Sequence, residues 1–262
     1  MEYIGYLASI IIGLSLGLIG GGGSILAVPI LVYLFKVHPE QATSYSLFIV
    51  GFTSMIGSFS HYKLGNLKIK SALVFAVPSI LSLLFVRKII LPLLPDTLFS
   101  INDFDITKNL LIMIVFAFLM IATSVSMIRK SKKVKEAKEI NFLILAVIGL
   151  FVGLIIGFLG AGGGFLIIPA LLFFANLPMK QAVGTSLFII FINSLIGFGG
   201  DLLGGIQLDY KLLFIISAMA ILGLFIGTQL SKKIDGAKLK PAFGWFVLVM
   251  GIYIIVTELF FK

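Results

Sequence analysis

Gly13–Pro29 reads GLSLGLIGGGGSILAVP, and Gly153–Pro169 reads GLIIGFLGAGGGFLIIP. The two stretches align without a gap at a spacing of 140 residues. Gly13, Gly17, Gly20, Gly22, Gly23, Leu26 and Pro29 fall on Gly153, Gly157, Gly160, Gly162, Gly163, Leu166 and Pro169. The register continues: Gln41-Ala42 meets Gln181-Ala182, Ser46 to Ile49 meets Ser186 to Ile189, and Ser54 and Gly57 meet Ser194 and Gly197. Self-similarity at half the chain length indicates duplication. Each copy is a long apolar segment interrupted by glycines. Paired broken segments of this kind point to a transporter binding site.

Working outward, the rest of the chain has the same character. Of 262 residues, 60% are hydrophobic and 12% charged, about half the charged share of a soluble domain. Residues 3–35, 41–60, 71–86, 109–128, 141–179, 181–200, 212–230 and 242–257 contain no Asp, Glu, Lys or Arg. A helix needs about 20 apolar residues to cross a bilayer. The expected fold is an all-α polytopic membrane protein. The net charge of +9 sits in short loops, so it reads as topogenic charge beside an anionic bilayer, with no nucleic-acid partner. There is no cysteine, which removes disulfides, thiolate catalysis and Cys metal sites. The first residues lack a basic n-region and a small-residue cleavage site, so they are expected to be a retained helix.

Residues 4–19 and 24–35 form the first broken pair, and 142–159 and 165–175 the second. Each is either two tilted spans or a re-entrant hairpin. Twelve residues rise about 18 Å against roughly 30 Å of hydrocarbon, which favours the hairpin. Ser24 is expected to N-cap its helix, and Pro29 to kink it. Three spans follow in each half, at 42–60, 71–86 and 108–128, then 182–200, 211–230 and 242–260. The segment Asp96 to Asp105 is expected to be a polar, acidic loop. The organisation is an N-terminal repeat, 1–128, a basic linker, 129–140, and a C-terminal repeat, 141–262, in one membrane domain. Loops 129–138 and 231–240 are strongly basic and therefore expected in the cytoplasm. Counting crossings back from them puts loop 61–70 inside, and loop 96–107 and the N-terminus outside. The halves are then inverted repeats whose glycine tips approach each other near the midplane.

The candidate substrate site is built from Gly20, Gly21, Gly22, Gly23, Ser24 and Ser46, with Gly160, Gly162, Gly163, Gly164, Thr185, Ser186 and Asn193 from the second half. Helix starts present free N–H groups and the positive dipole end, which suit sulfate-like and carboxylate groups. The hydroxyls could instead serve helix packing. His61 and Asp201 are repeat equivalents near span ends, candidates for proton coupling or ordinary solvated loop residues. Arg87 and Lys88 are expected to anchor a span end. No cofactor, metal or enzyme activity is expected: H-E-x-x-H is absent, and no pair of carboxylates lies within the spans.

The chain resembles the TauE/SafE family of sulfite and organosulfonate exporters. The resemblance lies in Gly157-Phe158-Leu159-Gly160-Ala161-Gly162-Gly163-Gly164 with Pro169, and in Ala182-Val183-Gly184-Thr185-Ser186-Leu187-Phe188. The basic central linker fits it too. The first repeat departs from the pattern at Gly21 and Ser24, and Ala42-Thr43-Ser44-Tyr45-Ser46-Leu47-Phe48 lacks the G-T-S core. The resemblance implies transport of small inorganic or organic sulfur anions across the cytoplasmic membrane. Export driven by the membrane potential, through a carrier, is the expected mode. A passive anion channel or a proton-coupled importer is the alternative. The topology is directly testable in this cysteine-free chain. A cysteine placed at Lys133 should resist an impermeant thiol reagent in intact cells and react once the cells are opened.

Overall fold

The computed structural model describes residues 2–21, 23–101, 104–128, 141–160, 163–231 and 236–260. The linker 129–140, with Lys133, and the tip residues Gly22 and Gly162 lie outside the described residues. Helix α1 spans Glu2–Ile19 and α2 spans Ser24–Pro29, continued by a π-helical turn at Ile30–Leu34. Helix α3 is Pro39–Lys63. Helix α4, Ile69–Phe85, runs through a π turn at Val86–Ile90 into the single turn α5, Leu91–Leu93. After α6, Lys108–Ile128, the second half gives α7, Phe142–Leu159, α8, Gly164–Phe174, and α9, Met179–Leu203. Helices α10, Tyr210–Ser231, and α11, Gly236–Phe260, complete the chain. Among the described residues, six helices are long and apolar enough to cross a membrane, which makes this an all-α polytopic membrane protein. The segment expected as an acidic loop differs: β1, Thr97–Ile101, pairs antiparallel with β2, Phe104–Thr107. Its alternating Thr, Phe and Ile residues favour an extended conformation.

Helices α1 and α10 pack in parallel along a glycine seam. Gly13 lies against the Ala220 carbonyl, Gly17 against the Leu224 carbonyl, Gly223 against the Ile10 carbonyl and Gly227 against the Leu14 carbonyl. Helices α4 and α7 form the corresponding seam, with Gly149 on Phe75, Gly153 on Ser79 and Gly157 on Leu83 and Val86. The Ser82 hydroxyl adds a hydrogen bond across it, donating to the Leu150 carbonyl at 2.8 Å. Small residues let backbones approach this closely where lipid supplies no hydrophobic driving force between helices. Each seam joins one helix of the first half to one of the second. Between the seams lie α3 and α9, antiparallel, with Gly51 beside Ser194, Gly57 beside Leu187 and Gly197 beside Leu47. Helices α6 and α11 pair at the periphery. Leu7, Leu81, Phe118, Phe151 and Phe225 face outward, as lipid-facing positions require.

The broken pairs are hairpins of unequal limbs. Gly20 takes a φ of +84° and Gly160 one of +64°, left-handed turns that glycine makes at little cost. The Phe35 ring returns to Gly5 and sits 5.4 Å from the Tyr6 ring, centroid to centroid. The first limb runs past the start of the second, because Gly23 lies back against Ile12, Ser15 and Leu16. The returning limbs, Ser24–Leu34 and Gly164–Phe174, have 11 residues each and rise about 16 Å, half the hydrocarbon thickness. Pro29 lacks the N–H of a regular helix, and the π turn follows it directly.

The seams set the stability. A valine at Gly13 or Gly153 would drive a side chain into a neighbouring backbone, so G13V and G153V should lose about 1–3 kcal/mol or more. Gly199 has open space, and G199A should gain up to about 1 kcal/mol of helix propensity. Thermal unfolding of the purified protein in detergent should place the three variants in that order.

Candidate functional site

The glycine turns of the two halves meet inside the protein. Gly21 packs on Gly164, and Gly164 also touches Ile190, midway along α9. Gly20 lies against Val183 near the start of α9, and Gly160 against Thr43 near the start of α3. Gly163 has φ +67° and sits on Ile156, whereas its equivalent Gly23 is right-handed helical at φ −71°. Of the expected site residues, Gly21 and Gly164 thus meet beside the middle of the α3–α9 pair, with Gly20 near one of its ends and Gly160 near the other.

Ser24 does not cap its helix as expected. It is the first residue of α2, and its hydroxyl donates to the Gly21 carbonyl at 2.8 Å. The hydroxyl thus serves the turn instead of the helix start. The Ser186 hydroxyl donates to the Val183 carbonyl at 2.8 Å, and Thr185 Oγ1 accepts from the Lys68 N–H at 3.0 Å. The Asn193 amide donates to Ser79 Oγ at 2.7 Å while its own oxygen is buried without a partner. The hydroxyls of Ser46, Ser54 and Ser194 are likewise buried and unpartnered. The α3–α9 interface therefore carries several unsatisfied polar atoms. Gly13 to Gly17 spell the G-x-S-x-G pattern of an esterase nucleophile, but they lie inside α1. Ser15 there donates to the Ile11 and Ile12 carbonyls, with no strand-to-helix turn.

The expectation for Arg87 is overturned. It neither snorkels nor anchors: it is 7% exposed and ion-paired with Asp201. Its Nη1 also donates to Ser44 Oγ at 3.1 Å and its Nη2 to Thr43 Oγ1 at 2.9 Å, while Nε has no partner. The Ser44 hydroxyl donates to Asp201. The π turn at Val86–Ile90, two residues before Pro92, buries Val86 and Arg87 together and leaves Lys88 exposed. This cluster floors an open vestibule of about 940 Å³, lined also by Glu40, Lys88 and Gln207. Glu40 and Asp96, which both line it, hold Lys108 Nζ at 2.9 Å and 3.6 Å.

Asp201 and His61 are not solvated loop residues either. Both lie within helices, Asp201 in α9 and His61 in α3. His61 is 7% exposed, beside Gly184 and Asn66, and neither ring nitrogen has a partner. Asp201 is at the Ser44 level and His61 at the Gly184 level, about 25 Å apart along the antiparallel pair. They cannot form one local relay. Among the described residues, no cluster of three or more His, Cys, Asp or Glu could hold a metal ion.

Broken helices meeting in a protein-lined interior, with a polar vestibule above them, define a membrane transporter of the discontinuous-helix type. The chain belongs to the sulfite exporter TauE/SafE family, whose model matches residues 5–254. It is 29% identical to a probable membrane transporter protein of Xylella fastidiosa, over 94% of this chain and 91% of that protein. It is 28% identical to the probable membrane transporter protein YunE of Bacillus subtilis, over 84% and 95%. A probable membrane transporter protein of Methanocaldococcus jannaschii is 38% identical over 44% of this chain and 46% of its own length. No solved structure matches.

Removing one member of a buried ion pair strands the other. R87A should therefore lose about 3–5 kcal/mol, while the double variant R87L–D201L keeps most of the stability. Thermal unfolding in detergent, compared across the two, checks this.

Proposed function

We propose that this transporter exports small sulfur-containing anions, sulfite or organosulfonates, from the cytoplasm across the cytoplasmic membrane. The N-terminus lies outside, and the two halves act as inverted repeats. The observation that carries the reading is the contact of Gly21 with Gly164: two interrupted helices, one from each half, meet where no lipid reaches. The starts of α2 and α8 face this region, and backbone N–H groups there can receive oxyanion oxygens. The antiparallel run of the repeat-equivalent helices α3 and α9 supports the inverted arrangement, as do the parallel pairs α1–α10 and α4–α7. The family match supports the substrate class, and the basic linker supports the orientation. A potential of 100 mV, negative inside, favours anion exit by about 2.3 kcal/mol per charge. The partly buried Asp201 carboxylate, facing the vestibule, supports the proton-coupled mode as the second reading.

Proteoliposomes with potential and pH gradient set independently separate these modes. Sulfite or isethionate flux should saturate, follow the potential and persist without a pH gradient. G163V, at a left-handed position against Ile156, should reduce it at least about tenfold, while G199A, in open space on α9 at an ordinary helical φ, should leave it intact. Flux that follows the pH gradient at zero potential would establish the proton-coupled mode instead. Single-channel currents would establish a channel.

A further inference from the structure

A buried arginine on the floor of a vestibule is expensive unless every donor is used, and Arg87 leaves one unused. Its Nη atoms are held by Asp201, Ser44 and Thr43, but its Nε–H is buried without a partner. A guanidinium presents donors in a planar fork that matches the oxygens of carboxylates and tetrahedral oxyanions. The Asp201 carboxylate fills part of that fork. Thr43, bonded to the same guanidinium, packs on Gly160, where α7 turns back toward α8. The fork therefore lies between the vestibule and the glycine turn. The other charged groups lining the vestibule are Glu40 on α3, Lys88 on the π turn and Asp96. Glu40 and Asp96 are both engaged by Lys108.

The opposite end of the helix pair has no such device. Gly17 meets Leu224 and Gly227 where its equivalent Gly157 meets Leu83 and Val86, so Arg87 corresponds to Thr228. At the 140-residue spacing Thr43 and Ser44 correspond to Val183 and Gly184, and Asp201 to His61. The charged fork belongs to one side of the path only.

We propose that Arg87 is the anion-binding residue on the vestibule side of the transport path. Asp201 occupies its guanidinium as an internal stand-in while no anion is bound. An incoming sulfur oxyanion displaces the carboxylate, takes the freed Nη donors and satisfies Nε. The assignment rests on the anion-carrier reading above. It carries a sign that a purely structural ion pair does not: removing the charge of Asp201 removes a competitor and tightens anion binding.

The test is calorimetric titration of the full-length protein in detergent with sulfite and with sulfate. It compares wild type, D201N, R87K and the doubly neutral R87Q–D201N, each first shown to be folded by its melting transition. The double variant leaves no unpaired buried ion, so it stays measurable even if R87K or D201N folds poorly. D201N should bind several-fold more tightly than wild type. R87K should bind more weakly, and R87Q–D201N at least about tenfold more weakly, as loss of a buried charged partner implies. If D201N binds no tighter than wild type, or R87Q–D201N binds as well as wild type, the assignment is overturned while the carrier reading stands. If wild type binds neither anion, the carrier reading falls and takes the assignment with it.

Discussion

A lipid bilayer offers no hydrogen bonds, so a helix broken inside it must find its backbone partners in protein. The rest of this fold follows from that constraint applied twice. The Gly20 N–H bonds back to the Leu16 carbonyl at 2.7 Å, and the Gly160 N–H to the Ile156 carbonyl at 2.8 Å. The Ser24 hydroxyl takes the Gly21 carbonyl. Helices α3 and α9 wall the turns on one side, and the α1–α10 and α4–α7 pairs hold the hairpin limbs in place. Without that shell the glycine stretches would expose bare amides to hydrocarbon.

The interfaces are not equivalent in strength. The glycine seams put backbone on backbone and leave no room for repacking. The α3–α9 interface buries the unpaired hydroxyls of Ser46, Ser54 and Ser194. An unsatisfied buried polar group costs about 1–3 kcal/mol, so this middle interface is the weaker one. Electrostatics divide the two turns as well. A helix start contributes about 0.3–1 kcal/mol to a nearby anion, up to about 2 kcal/mol when partly buried. Desolvating the ion costs several kcal/mol. The turn at Gly160 has a full positive charge beside Thr43, and the turn at Gly20 faces Val183 instead.

Much of this was legible in the chain. Charge-free runs of bilayer length fix helices because the hydrocarbon tolerates little else, and the glycine repeats fixed where they break. What escaped was pairing between distant residues. Arg87 ends an apolar run beside Lys88 and looks like an anchor; only the π turn before Pro92 points it inward. Asp201 likewise follows a charge-free run, and 114 positions separate the partners. Ser24 was misjudged because a serine before a helix usually caps N–H groups, whereas here a stranded carbonyl lay closer. The signal that marks the charged cluster is a mismatch between the halves: Arg87 over Thr228 and Asp201 over His61.

The seam between α1 and α10 also fixes an order of events during synthesis. Gly13 and Gly17 find their partners only at residues 220–228, roughly 200 residues later. At about 5–20 residues per second, α1 waits about 10–40 s before its groove is filled. For that interval the nascent first hairpin lacks the helix that seals its flank. The glycine face of α1 stays uncovered until α10 has been made.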